Sequence, residues 1–271
     1  MSIFTVNVDR CNACGICVAE CPMLVIDIPK PQRIPAIIDG GDKLCINCGH
    51  CIASCPADAI SLDTIQTADF IPVQRNLLPS AEQAEHFLRS RRSIRAYKTQ
   101  PVPHETLLKL IDIARYAPSG SNMQPVQWLV IEDTREVRRL TRLVVDWGRS
   151  MTGIDPVGIL APRLGRLVRS WDSGRDLIMR GAPHVIVTHG PSSASLDATI
   201  ALTYLELAAY SLGLGACWAG FFMLAASFHA PMKEALNLPE GNRCLGAMMI
   251  GYPKHKFHLI PPRNEPRIIW R

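Results

Sequence analysis

Two nucleotide-binding signatures are missing from this sequence of 271 residues. No glycine-rich loop ends in Gly-Lys-Ser or Gly-Lys-Thr, which excludes a P-loop. The densest glycine cluster, GLGACWAG at 213–220, ends a helical pattern instead of opening a helix with G-x-G-x-x-G, so a Rossmann fold is not supported. Aromatic residues do not interleave with the basic stretches, and we expect no nucleic-acid partner.

Cysteine is scarce after residue 56, where only Cys217 and Cys244 occur, although the chain holds ten. Charge divides in the same way. Residues 1–68 hold 7 acidic and 4 basic residues, a net charge of −3, whereas residues 69–271 hold 17 and 25, a net charge of +8. These contrasts exclude a homogeneous repeat protein, a coiled coil and a disulfide-rich mini-protein. They predict an N-terminal domain over 1–65, an ordered linker over 66–80 and a second domain over 81–271.

The first residues, MSIFTVNVDRC, lack the basic start, apolar run and cleavage site of a secretory signal, so we expect a cytoplasmic location. In the long apolar run 198–226 the only charge is Glu206. Asp197 at its start and three glycines in its second half favour a helix to about Leu212, a glycine turn and a buried strand. We therefore predict no membrane span.

Eight cysteines form two copies of the spacing C-x-x-C-x-x-C-x-x-x-C-P, separated by 34 residues. In bacterial ferredoxins with this spacing, the fourth cysteine of each run ligates the other cluster. On that rule one [4Fe-4S] cluster takes Cys11, Cys14, Cys17 and Cys55, and the other takes Cys45, Cys48, Cys51 and Cys21. Zinc, which favours separated C-x-x-C pairs, and disulfides are the alternatives. Residues 1–65 resemble two-[4Fe-4S] ferredoxins, which pass single electrons.

Helical and strand patterns alternate in the second domain. A capping box of Ser80 and Gln83 begins a helix that ends near Arg92. Further helices are predicted over 104–116 and 134–147, and strands over 128–132, 184–189 and 245–252. The alternation predicts an α+β fold.

A basic motif follows the first of these helices. If the chain is extended there, Arg91, Ser93 and Arg95 point the same way and form a grip for a phosphate. The alternatives are a solvated basic turn and a nucleic-acid patch.

Two later segments could contact a flat polar ligand. Asn122 and Gln124, in the loop APSGSNMQP, offer amide groups for a polar ring edge, although an ordinary helix-ending loop has the same composition. The glycines of 213–220 allow a backbone to approach a ring closely. Arg263, after two prolines, is a further candidate for a phosphate ligand, although the motif is of low specificity.

In this order and spacing the segments SRRSIR, APSGSNMQP and GLGACWAG, with a terminal strand leading to an arginine, resemble the FMN-dependent nitroreductase family over roughly residues 85–271. The resemblance implies an α+β homodimer with FMN at the subunit interface. It departs from the family at Val126, where a tryptophan often follows the proline, and at Ala219, where many members have a glutamate.

The resemblance also implies roles for particular residues. The phosphate and ribityl chain would be held by Arg91, Arg92, Ser93 and Arg95, with Arg263 assisting and Arg267 as its competitor. The partner subunit would line the flavin with Pro118, Ser119, Gly120 and Asn122. Ala219 and Gly220 would lie along the reactive ring edge, and residues 148–175 would form a variable cap. Because the flavin carries the chemistry in this family, no side-chain catalyst is nominated.

These observations predict a reductase that passes electrons from a donor through two [4Fe-4S] clusters to FMN. The final acceptor would be a small planar molecule such as a nitroaromatic, a quinone or an activated alkene. The donor could be a ferredoxin, another low-potential carrier or NAD(P)H. The alternatives are a reductive dehalogenase or flavin-fragmenting enzyme on the same fold, and a non-catalytic redox sensor or electron carrier.

Overall fold

The computed structural model describes residues 2–31, 33–151 and 160–271. The chain forms two compact units. Unit 1 comprises Met1–Leu78 and Ser119–Met123, and unit 2 comprises Pro79–Pro118 and Gln124–Arg271. No helix within the described ranges is both long enough and apolar enough to cross a membrane.

Unit 1 is built from short elements around the cysteine motifs. They are β1 (Phe4–Val6), α1 (Ile16–Ala19), β2 (Ile26–Asp27), β3 (Ala36–Ile37), α2 (His50–Ala53) and β4 (Ile60–Leu62). β1 pairs antiparallel with β4, and β2 pairs antiparallel with β3. Each pair therefore joins a strand from one half of the sequence duplication to a strand from the other.

The backbone repeats the 34-residue duplication. Gly15 and Gly49 precede α1 and α2 with φ angles of 75° and 71°, in the left-handed region that glycine adopts most easily. Two further pairs of residues 34 apart share a positive φ, Ala13 with Asn47 and Leu24 with Asp58. Equal sequence spacing thus becomes equal loop geometry.

Unit 2 has an α+β fold, as predicted. Its elements are α3 (Ala81–Ser90), α4 (His104–Ala114), β5 (Gln127–Ile131), α5 (Thr134–Ser150), α6 (Leu160–Asp172), β6 (His184–Gly190), α7 (Ser195–Ser211), β7 (Gly215–Trp218), α8 (Gly220–Phe228), α9 (Ala230–Leu236) and β8 (Arg243–Gly251). The capping box of Ser80 and Gln83 is present at the start of α3. α6, α8 and α9 were not predicted from the sequence.

The sheet of unit 2 is antiparallel with the order β5-β6-β8-β7. Because side chains alternate across a strand, β6 separates two clusters of buried residues. Val185 and Val187 pack with residues of α5 and α8, whereas Ile186 packs with residues of α4 and α7. Helices therefore cover both faces of the sheet, which explains why all of β6 is buried.

The apolar run 198–226 has the predicted structure. α7 ends at Ser211, Gly213 turns the chain with a φ of 72°, and β7 follows as a strand of buried and half-buried residues. Part of the predicted cap, residues 152–159, lies outside the described residues.

Candidate functional site

Four predicted cluster ligands line one cavity in unit 1. Cys21 faces this cavity together with Cys45, Cys48 and Cys51, although it belongs to the other sequence motif. Burial, together with the smaller effects of the Cys48, Cys45 and Cys21 charges, raises the pKa of the Cys51 thiol to about 11. The fold thus gathers four sulfurs in the crossed combination that the spacing predicts.

The other motif shows part of the same arrangement. Burial raises the pKa of the Cys17 thiol, and the neighbouring Cys11 and Cys14 sulfurs contribute. Cys55 Sγ accepts a hydrogen bond of 3.3 Å from the Ala59 backbone N–H.

The donor set of unit 1 fits iron–sulfur clusters. All ten cysteines lie in the described ranges and all are free thiols, so the structure has no disulfide between the two motifs. Within those ranges no three His, Cys, Asp or Glu side chains form a site for a single metal ion. A four-iron cluster takes its thiolates at the corners of a cube, which is a wider arrangement than the tetrahedron around one zinc ion.

In unit 2 the segment 91–95 follows α3 and runs beside β7. The Ile94 backbone N–H donates to the Ala216 carbonyl over 2.9 Å. Gly215 permits this approach, because a Cβ there would lie 2.5 Å from Ile94 Cγ1. The glycine turn therefore determines where the basic motif lies.

Arg91 forms an ion pair with Glu206 of α7. Arg91 Nη1 lies 2.7 Å from Glu206 Oε1, and both side chains are largely buried. Burial raises the pKa of the Glu206 carboxyl, and the Arg91 charge partly opposes this shift. Sequence reasoning did not assign Glu206 to the site, although an isolated charge in an apolar helix was a signal.

Ser93 and Arg95 lie on the side of the segment that faces Cys217. Burial raises the pKa of the Cys217 thiol, while Arg95, Arg180 and a hydrogen bond involving Ser93 lower it. The thiol is thus held protonated at neutral pH.

A cavity of about 550 Å³ lies beside this group, and Arg95, Arg163, Arg180 and Gly220 contribute to its lining. Neither Arg95 nor Arg180 forms an ion pair with any described residue, so the cavity has unneutralised positive charge. Arg163 lies in the predicted cap. Arg180 was missed because it lies on an irregular turn, with a φ of 57°.

Arg92 points to a separate cavity of about 340 Å³, which is also lined by Gly213 and Tyr210. Its Nη2 donates to the Arg89 carbonyl over 2.6 Å, whereas its buried Nε has no hydrogen-bond partner among the described residues. The four residues of the predicted phosphate grip therefore do not face one point.

At the start of α8 the two predicted ring-edge residues differ. The Ala219 backbone N–H donates to the Ala247 carbonyl over 2.9 Å. Gly220 is the first residue of the helix, where backbone N–H groups lack an intrahelical acceptor, and a Cβ at Gly220 would meet nothing within 4 Å. Of the two, Gly220 has the geometry to face a ligand.

The predicted flavin-lining loop spans both units. Pro118 belongs to unit 2, whereas Ser119, Gly120 and Asn122 belong to unit 1. Asn122 Nδ2 donates to the carbonyls of Ile46 and Asn47, over 3.1 and 3.0 Å. An amide group predicted to serve a ring edge thus bonds to the loop between two cluster cysteines.

The C-terminal arginines lie in irregular chain after β8. Arg263 and Arg267 are both exposed, and the structure does not bring either to the cavity beside Arg95.

The buried histidines of the sheet have structural bonds. His184 Nδ1 donates to the Glu132 carbonyl, and Nε2 accepts from the Val102 N–H. Burial lowers the pKa of His184 and of His189.

Comparison with known proteins identifies both units. Residues 88–252 match the nitroreductase family and residues 10–61 match a 4Fe-4S dicluster domain. The chain belongs to the nitroreductase family. It is an oxidoreductase of that family with a ferredoxin-type domain at its N-terminal end, as predicted.

Similar proteins include a 4-nitrobenzoate reductase from Pseudomonas putida, 28% identical over 60% of this chain and 82% of that protein. Nitroreductase NfnB from Mycolicibacterium smegmatis is 27% identical over 64% of this chain and 83% of its own length. The crystal structure of a Bacteroides fragilis nitroreductase with bound FMN superposes with a TM-score of 0.57. It is 20% identical and covers 69% of this chain and 97% of its own, so it supports the fold of unit 2.

Proposed function

We propose that the protein is an iron–sulfur flavoprotein that reduces a small planar acceptor with electrons delivered through its own clusters. The single observation that carries this proposal is the fusion of a dicluster domain, at 10–61, to a nitroreductase domain, at 88–252. A chain that needed only a two-electron donor such as NAD(P)H would have no use for two one-electron carriers.

The cysteines would hold the clusters in the crossed sets predicted from the spacing. Cys21, Cys45, Cys48 and Cys51 line one cavity, which supports the assignment of the second cluster. Without iron, a thiolate at Cys51 is disfavoured by burial. Bound iron would supply the positive charge that stabilises it.

FMN would be held in unit 2. Its phosphate suits Arg95 and Ser93, and Arg180, which lines the same cavity as Arg95, adds positive charge. Arg92 lines the separate cavity with Gly213 and Tyr210 and is not assigned to this phosphate. Arg91, which Glu206 neutralises, would position the segment instead of binding phosphate directly.

When bound, the clusters supply single-electron transfer and the flavin collects two electrons for delivery as a hydride. The contribution of the protein's own side chains is to bind the charged groups of the cofactors and to exclude water from them. No side chain is assigned a proton, because Cys217 is buried with a raised pKa and His184 is fully engaged in structural bonds. A hydride equals two electrons and one proton, and that proton would come from solvent.

The acceptor and the assembly are inferred from relatives. Both relatives named above are nitroreductases, and one reduces 4-nitrobenzoate by name, which favours a nitroaromatic acceptor. We infer a homodimer in which Pro118, Ser119 and Gly120 of each subunit contribute to the flavin site of its partner, whereas the Asn122 amide serves the cluster loop at Ile46 and Asn47. The homodimer is testable by sedimentation of flavin-loaded protein.

The test begins with anaerobic purification. We expect about eight irons and eight sulfides per chain, as two [4Fe-4S] clusters require, with one flavin. The protein is then mixed with reduced ferredoxin, and flavin bleaching and 4-nitrobenzoate consumption are followed without NAD(P)H. Cys14→Ala combined with Cys48→Ala should abolish transfer from ferredoxin to flavin.

Cys244→Ala is the matched control, because Cys244 is outside both motifs and should leave transfer unchanged. Direct reduction by NAD(P)H in the cluster-free variant would measure whether the flavin site remains intact. Normal turnover with ferredoxin after loss of both clusters would refute the relay.

A further inference from the structure

The two cluster loops of unit 1 are duplicates in sequence but not in hydrogen bonding. In the first loop, Asn12 Oδ1 accepts from the Cys14 backbone N–H over 3.2 Å. The residue 34 positions later is Ile46, whose side chain cannot accept a hydrogen bond. The Cys48 N–H therefore lacks the local acceptor that its counterpart Cys14 has.

A second difference comes from Asn122. Its Nδ2 donates to the carbonyls of Ile46 and Asn47, the two residues between Cys45 and Cys48. Because carbonyl oxygens only accept, the amide must present its NH₂ group to both. No described residue makes this pair of bonds to the first loop.

The Asn122 bonds act on the N–H groups that face away from Asn122. The peptides 46–47 and 47–48 are trans, since the only cis peptide in the described ranges is Lys30–Pro31. In a trans peptide the N–H lies opposite the carbonyl. A carbonyl that accepts a hydrogen bond polarises its peptide, which makes the N–H groups of Asn47 and Cys48 stronger donors.

Hydrogen bonds to cluster sulfurs are a main determinant of cluster potential, because they stabilise the more negative, reduced state. Both differences act in the same direction. The second loop has a Cys48 N–H available to a sulfur and two peptides polarised by Asn122, whereas in the first loop the Asn12 side chain holds the Cys14 N–H.

We propose that Asn122 is a positioning residue that raises the reduction potential of the cluster held by Cys45, Cys48, Cys51 and Cys21 above that of its duplicate. Of the two clusters, this one is therefore reduced first. The inference rests on the two clusters of the proposed function and is independent of transfer to FMN.

The test is an EPR-monitored redox titration of the full anaerobic protein. The wild type should show two midpoints. Asn122→Ala should lower the higher midpoint and leave the lower one unchanged, and Asn122→Asp should lower it at least as far, since a carboxylate cannot donate. Asn12→Ile, which makes the first loop resemble the second, should raise the lower midpoint.

Asn242→Ala is the matched control, because Asn242 bonds to Gln127 and His189 in unit 2 and should move neither midpoint. A purely structural role for Asn122 would shift both midpoints together in variants of full iron content, and that result overturns the proposal. If the Asn122 variants lose iron, a single shared midpoint in the wild type or no effect of Asn12→Ile overturns it equally. Failure of the relay alone would appear differently, as oxidised flavin beside two separate midpoints.

Discussion

Arg91 Nη1 donates to Glu206 Oε1 over 2.7 Å, and this bond joins the end of α3 to the buried side of α7. The ion pair shows that the arginines of segment 91–95 have two different roles, one structural and one at a cavity. Arg91 neutralises a buried carboxylate, whereas Arg95 has no ionic partner among the described residues and lines a cavity.

Arg91→Ala should destabilise the protein. The substitution leaves the Glu206 carboxylate buried without its partner, and we expect the free energy of unfolding to fall by about 3 kcal/mol. Urea denaturation of the purified variant measures this loss. In the double variant Arg91→Ala/Glu206→Gln much of the loss should be recovered, because no buried charge remains. An Arg91→Ala variant as stable as the wild type would contradict the structural role.

Arg95→Ala should weaken FMN binding with little effect on folding. Removal of one charged contact to a phosphate should raise the dissociation constant of FMN about 10- to 100-fold. The unfolding free energy of the apoprotein should change by less than about 0.5 kcal/mol, because the side chain has no ion pair to lose. Flavin fluorescence during titration of apoprotein gives the constant. Arg243→Ala, at an exposed residue of β8, is the control and should bind FMN normally.

Gly215→Ala should displace the segment 91–95. The added methyl group would overlap Ile94, and such overpacking costs about 1–3 kcal/mol. The melting temperature and FMN retention should both decrease. Ile94→Ala in the same chain should recover only part of the stability, because Ile94 Cβ itself would lie 2.7 Å from the added Cβ. Gly165→Ala is the matched control. Its Cβ would meet only the flexible end of Arg169 at 3.4 Å, so the variant should be neutral or slightly stabilised.

His184 should make stability fall in mild acid. Its folded-state pKa is lowered from 6.5 by burial, so the unfolded chain binds the proton more readily. The stability contributed by neutral His184 is therefore present above pH 6.5 and is lost as the pH falls toward the lowered value. His184→Gln retains one donor and one acceptor and should flatten this part of the profile. Unfolding free energies measured at several pH values test it, and an unchanged slope would exclude His184 as its source.

Local patterns in the sequence predicted most of the fold. The 34-residue cysteine spacing predicted two equivalent loops, and Gly15 and Gly49 open their helices with nearly equal φ angles. Backbone geometry follows from neighbouring residues, so a repeat in sequence becomes a repeat in structure. The helix–turn–strand reading of 198–226 was confirmed for the same reason, since Gly213 adopts the positive φ of the predicted turn.

Helix boundaries and the short helices were less predictable. The helix predicted to end at Tyr116 ends at Ala114, and α5 continues three residues beyond Trp147. Packing against other elements decides where a helix ends, and the local sequence contains little information about that packing. α8 was missed because its residues are apolar on most sides, which obscures the helical period. α9 has only seven residues, too few to show a clear period.

The candidate site shows the same division. The sequence by itself determined which residues could bind iron, phosphate and a flat ring, because the chemistry of thiols, guanidinium groups and glycines follows from residue type and spacing. Only the tertiary structure decided how they are used. It pairs Arg91 with Glu206, turns Arg92 away from Arg95, adds Arg180 and bonds Asn122 to the loop at Ile46. Those contacts join residues far apart in the chain, and their geometry depends on how whole elements pack, which no local pattern records.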